Sequence, residues 1–155
     1  MSFSFIPSWI VGLSLIAATI AIHAAGLVWI FLLLRHIRRR FVPHDTPPAA
    51  RPWLAVVMVG AVGGALATLH AIEAAIWALA YVMLDAIEDL QAAMLYSIDS
   101  MTTRGDSGLA LTEEWKLLGA LEAADGMLLF GLSTAFLFGM VTQIWFLLPE
   151  DGRPD

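Results

Sequence analysis

The chain contains no cysteine. A disulfide framework, a thiolate nucleophile and any Cys-based metal site are therefore excluded. Charge is also scarce. Asp, Glu, Lys and Arg make up 14% of the 155 residues, against roughly 25% in a typical soluble domain. Hydrophobic residues supply 59%, well above the roughly 45–50% apolar share of such a domain. The net charge is −6, and the basic run "RHIRRR" adjoins an apolar segment, so nothing points to nucleic acid. No phosphate-cradling Gly loop and no Ser/His/Asp spacing stands out, and the chain is not expected to be an enzyme. These absences leave a single membrane domain as the class.

Three apolar runs are present: Phe5–Leu34, Trp53–Leu84 and Trp115–Leu148. The first carries no Lys, Arg, Asp or Glu; the second is interrupted only by His70 and Glu73; the third carries Lys116, Glu122 and Asp125. A spanning helix needs about 20 apolar residues. Each run has about 30 or more, or roughly 45 Å of helix, so each is expected to tilt or to project beyond the bilayer core. The first is too long for a signal-peptide core and lacks a basic start, so it is expected to be a retained span. Five of the eight basic residues (Arg35, Arg38, Arg39, Arg40, Arg51) fall between the first and second runs. The positive-inside rule puts that loop in the cytoplasm, with the N-terminus outside and the "PEDGRPD" tail inside, in the plasma membrane. The expected organisation is a peripheral first span with its basic end (1–40), a Pro-rich linker (41–52), a pore-type domain (53–148) and a cytoplasmic tail (149–155).

Between the second and third spans lies "DAIEDLQAAMLYSIDSM" followed by "TTRGDSG". Asp85, Glu88 and Asp89 suit a helix N-terminus; charges that gather cations at a pore mouth are the second reading of the same acids. The segment then turns apolar for too few residues to cross a bilayer. A short helix and a Gly/Ser/Thr loop between two spans form a re-entrant loop, or an amphipathic loop on the outer surface. Irregular backbone at membrane depth is tolerated only where protein buries it or it lines a wet cavity.

The order of helix, short helix, "TTxG" loop and helix resembles the pore-loop domain of tetrameric cation channels. "IHAAG" at 22–26, "HAIEAAIWALAY" at 70–81, "AAMLYSIDSMTTRG" at 92–105 and "EWKLLGALEAADGMLLFGLSTAFLF" at 114–138 resemble bacterial members of the two-pore-domain potassium channel family. The resemblance implies an all-α membrane protein with three transmembrane helices, one re-entrant pore helix and a filter loop, four copies surrounding one pathway. Thr102, Thr103 and Gly105 match the TTxGYGD filter; Arg104, Asp106, Ser107 and Gly108 replace the rest. A Gly-Asp pair here is similar to the shortened filter of non-selective sodium/potassium channels. Ser107 in place of a left-handed glycine would cost roughly 1–2 kcal/mol. The resemblance thus implies a homotetrameric cation channel with weak or altered selectivity, a permeant monovalent or divalent cation, lipid as partner and no resident cofactor. The lost filter ending keeps a second reading open, a non-conducting scaffold or accessory subunit with a channel fold. A metal- or cofactor-binding bundle is a third.

Charged groups at membrane depth need partners. Asp99, Asp106, Glu122, Asp125 and Glu73 are candidates for a network behind the filter that holds Arg104. Glu73 and Glu122 could equally tie helices together. Ser133, Thr134 and Thr142 are candidates for lining an inner cavity, or equally for bonding back to their own helix or packing against neighbours. Gly126, Gly131 and Gly139 allow either a bend or close packing, and "GAVGGA" at 60–65 has the composition of a close helix contact. No metal site is expected: His70 and Glu73, at i and i+3, have the spacing of a carboxylate metal site, but one such pair without a second is a weak signal, and a hydrogen-bonded structural histidine is the preferred reading. His23 lies about 27 Å inward from Phe5 and His70 about 26 Å outward from Trp53, so the two are expected near opposite faces and unable to share one haem iron.

Overall fold

The computed structural model describes residues 5–41, 52–105 and 107–145. They form four helices: α1 (Phe5–Phe41), α2 (Pro52–Met83), α3 (Leu90–Met101) and α4 (Lys116–Trp145). Each long helix coincides with an apolar run. Three helices are long and apolar enough to cross a membrane, with candidate spans at Ile6–Ile37, Ala55–Met83 and Lys116–Gln143. Pro52 opens α2, where its missing N–H removes no intrahelical bond.

The ends of the short helix are fixed by local chemistry. Asp89 caps α3, its Oδ2 accepting the Ala92 amide at 2.8 Å. Asp85 and Glu88 do not belong to α3. Asp85 sits at φ 51 just past α2, where its own amide bonds the Val82 carbonyl and the Ala86 amide reaches the Tyr81 carbonyl. That pairing is a Schellman-type cap, so Asp85 terminates a helix rather than starting one. The same device closes α3. Thr103 takes φ 57, with its amide on the Ser100 carbonyl and the Arg104 amide on the Asp99 carbonyl. A β-branched residue there costs roughly 1–2 kcal/mol. Ser107, expected in the left-handed region, is outside it; Gly105 and Gly108 occupy it at φ 67 and 68.

α1 packs on α4 and α2, while α3 packs on α2 and α4. Glycines set the closest approaches. A Cβ at Gly12 would collide with Leu121, and one at Gly26 would lie 2.6 Å from Leu69. A Cβ at Gly126 would strike the Met101 carbonyl, so the end of α3 rests directly on the backbone of α4. Gly60, Gly63 and Gly64 have nothing within 4 Å of a built Cβ, so among the described residues these three glycines of "GAVGGA" make no close helix contact, while Val62 of the same stretch is buried.

The bundle is inverted relative to a water-soluble one. Ser8, Thr19, His23, Glu73, Ser97, Asp99, Glu122, Asp125 and Ser133 are buried, whereas Ile10, Trp29, Val56, Leu79, Met83, Leu128 and Phe138 are exposed. Apolar side chains outside and ionisable ones inside match a lipid environment, where polar groups turn toward the protein interior.

Candidate functional site

The buried polar residues, with the partly buried His70, recur at helical spacing within the apolar runs. On α1 these are Thr19 and His23; on α2, His70, Glu73, Trp77 and Tyr81; on α4, Glu122, Asp125 and Ser133. Such spacing places each set on one face of its helix. The three faces meet in successive tiers along the bundle.

The deepest tier joins α1, α2 and α4. Glu73 is fully buried, and its two oxygens face two imidazoles. His23 Nδ1 lies 2.9 Å from Glu73 Oε1, and His70 Nδ1 lies 3.1 Å from Oε2. The other nitrogen of each ring turns to Ser133: Nε2 of His70 is 3.1 Å from the hydroxyl and Nε2 of His23 is 3.2 Å from it. The two ring centroids are 5.2 Å apart. Phe130 stacks on His70 with centroids 4.2 Å apart. His70 Nδ1 and Glu73 Oε2 lack a well-aligned hydrogen bond. One ligand atom from each of His23, His70 and Glu73 fits within 4.8 Å, so the cluster could hold a metal ion.

This arrangement overturns the expectation that the histidines occupy opposite faces. α1 has 37 residues and α2 has 32. A position about 27 Å from the end of a helix that long is near its middle. Both histidines therefore reach the same depth from opposite ends, and α1 is not peripheral to the polar core.

In the second tier, Asp125 Oδ2 accepts from Thr19 Oγ1 at 2.7 Å and from Trp77 Nε1 at 3.0 Å. Asp125 Oδ1 is buried without a partner. In the third, Glu122 Oε2 accepts from Tyr81 at 2.6 Å, and Ser97 of α3 donates to Oε1. Glu73, Glu122 and Asp125 are thus buried acids, and among the described residues no Lys or Arg is buried with them. Their partners are imidazoles, hydroxyls and an indole.

Arg104 and Asp99 form a separate unit at the loop. Arg104 Nε is 2.6 Å from Asp99 Oδ1, and the Ser107 amide donates to Asp99 Oδ2 at 2.9 Å. The Arg104 side chain keeps 60% of its surface exposed. Glu73, Glu122 and Asp125 engage the tiers described above. Thr102, Thr103, Gly105 and Gly108 are exposed and Ser107 half-buried. Asp106 lies outside the described residues. Ser133 is buried on the histidines, whereas the exposed Thr134 donates to the Phe130 carbonyl of its own helix.

Comparisons with family models, with curated proteins and with solved structures returned no match. The described residues form an all-α four-helix bundle with three apolar helices of membrane-crossing length.

Proposed function

We propose that this chain is a multi-pass membrane protein that takes up a cation inside its helical bundle, and that it is not an enzyme. The observation that carries this reading is the convergence of His23, His70 and Glu73 from two spans, with their ligand atoms within 4.8 Å of one another. A carboxylate buried among apolar helices is costly without a positive partner. Two nitrogens facing its two oxygens make a receptacle for one. Thermal unfolding in detergent, with potassium, sodium, magnesium, calcium, manganese, zinc or cobalt added singly, tests it. At least one cation is expected to raise the midpoint, because a ligand of the folded state adds RT ln(1 + [L]/Kd) of stability, about 2.7 kcal/mol at 100 Kd. The rise is expected to vanish in Glu73→Gln. If none of these cations shifts the wild-type midpoint, the reading fails.

A second reading is a subunit of a homotetrameric cation channel. It is favoured by a 12-residue helix, too short to cross a bilayer, set between two spans and followed by a loop pinned at Asp99. In it Thr102, Thr103, Arg104, Gly105, Asp106, Ser107 and Gly108 line or back the pathway, and the first span begins outside. Flux of potassium, sodium and calcium into proteoliposomes tests this reading. No flux in wild type, and none after Asp106→Tyr with Ser107→Gly, would leave a scaffold with a channel fold.

A further inference from the structure

We infer that the His23–His70–Glu73 cup takes a divalent transition-metal ion, of the zinc or cobalt class, rather than an alkali or alkaline-earth ion. The inference rests on the cation-binding reading above and names the ligand.

The donor set decides the class. Two imidazole nitrogens and one carboxylate suit zinc, cobalt, iron or nickel, whereas calcium and magnesium require oxygen-rich shells of about six or more donors. The spacing is compatible with one ion. Ligand bonds of about 2.0–2.1 Å at tetrahedral angles put donors about 3.3 Å apart, and one ligand atom from each of His23, His70 and Glu73 lies within 4.8 Å of the other two, so a small inward shift of these side chains would bring three donors to one ion.

Ser133 can hold both rings in the ligating tautomer. Its oxygen has two lone pairs and can accept from both Nε2–H groups, 3.1 and 3.2 Å away. A ligating histidine is oriented in this way, by a donor bond from its other ring nitrogen. With Nε2 protonated on both rings, each Nδ1 offers its lone pair to a cation; in the other tautomer His23 Nδ1–H donates to Glu73 Oε1 at 2.9 Å instead. His70 Nδ1 and Glu73 Oε2 are also the two buried atoms of this tier without an aligned hydrogen bond. Three protein donors leave a coordination position for an outside ligand.

Cobalt(II) titration of metal-stripped full-length protein in detergent tests the assignment, followed by visible absorption and by zinc competition. The expected result is one cobalt per chain with intense visible bands, displaced by zinc. Binding should be lost in His70→Ala and Glu73→Gln and weakened roughly 10–100-fold in Ser133→Ala. Thermal unfolding of each variant reports folding; should the others fail to fold, the milder Ser133→Ala decides alone. Cobalt binding unchanged in the folded variants would overturn the inference. So would stabilisation by calcium or potassium with no cobalt or zinc bound, which would leave the broader cation reading intact. Absence of any cation effect would remove both.

Discussion

Trp77, Tyr81 and Ser97 carry two of the interior acids, Asp125 and Glu122, without a base. Each offers one hydrogen to a carboxylate oxygen of Asp125 or Glu122. A buried oxygen that loses its donor bears the full desolvation penalty, about 1–3 kcal/mol. Tyr81→Phe is therefore expected to lower stability by that amount in chemical unfolding of the detergent-solubilised protein. Combining it with Glu122→Leu should cost less than the sum of the single changes, by about 0.5–3 kcal/mol, because the orphaned carboxylate is then gone. Strict additivity would mean that the tyrosine and the acid do not interact. At this scale the sequence was informative about which residues are unusual. His70, Glu73, Glu122 and Asp125 interrupt apolar runs. It was not informative about their partners. The His23–Glu73 contact depends on how far two helices overhang each other, and residue counting within one helix does not contain that quantity.

At the scale of elements, α3 and its loop depend on one aspartate. Asp99 holds both the Arg104 side chain and the Ser107 amide. Asp99→Ala is expected to speed hydrogen exchange of the Ser107 amide roughly tenfold, as loss of about 1.4 kcal/mol would. Unchanged exchange would show that the loop is held by something else. The glycines of α4 separate in the same way. Gly126→Ala drives a methyl into the Met101 carbonyl and is expected to cost at least 1–3 kcal/mol, as overpacking does. Gly131, with nothing within 4 Å, should gain about 0.5–1 kcal/mol on becoming Ala. Thermal unfolding of the two variants reads both. The extents of the three long helices were legible because apolar runs of this length leave little choice. The start of α3 was not. An aspartate beside a helix serves equally as an N-cap or as a left-handed C-terminal residue, and Asp85 and Asp89 take one role each.

For the whole molecule, the inverted distribution of polarity is the organising fact, and it was legible from the acids inside apolar runs. What the single chain leaves open is its outer surface. Leu90, Leu95 and Ile98 of α3 and Phe138 of α4 are exposed, and lipid or further copies must cover them. Native mass spectrometry from detergent is expected to give a tetramer if the pore-loop reading holds. A monomer would count against that reading and leave the interior cation site untouched.

The involvement of α1 in the polar core bears on how the chain enters the bilayer. Synthesis runs from the N-terminus, so His23 and Thr19 reach the membrane before Glu73 and Asp125, the acids they contact. α1, inserted before α2 and α4, then acts as a waiting dock, and each later acid can leave the insertion machinery directly into a prepared partner instead of into bare lipid.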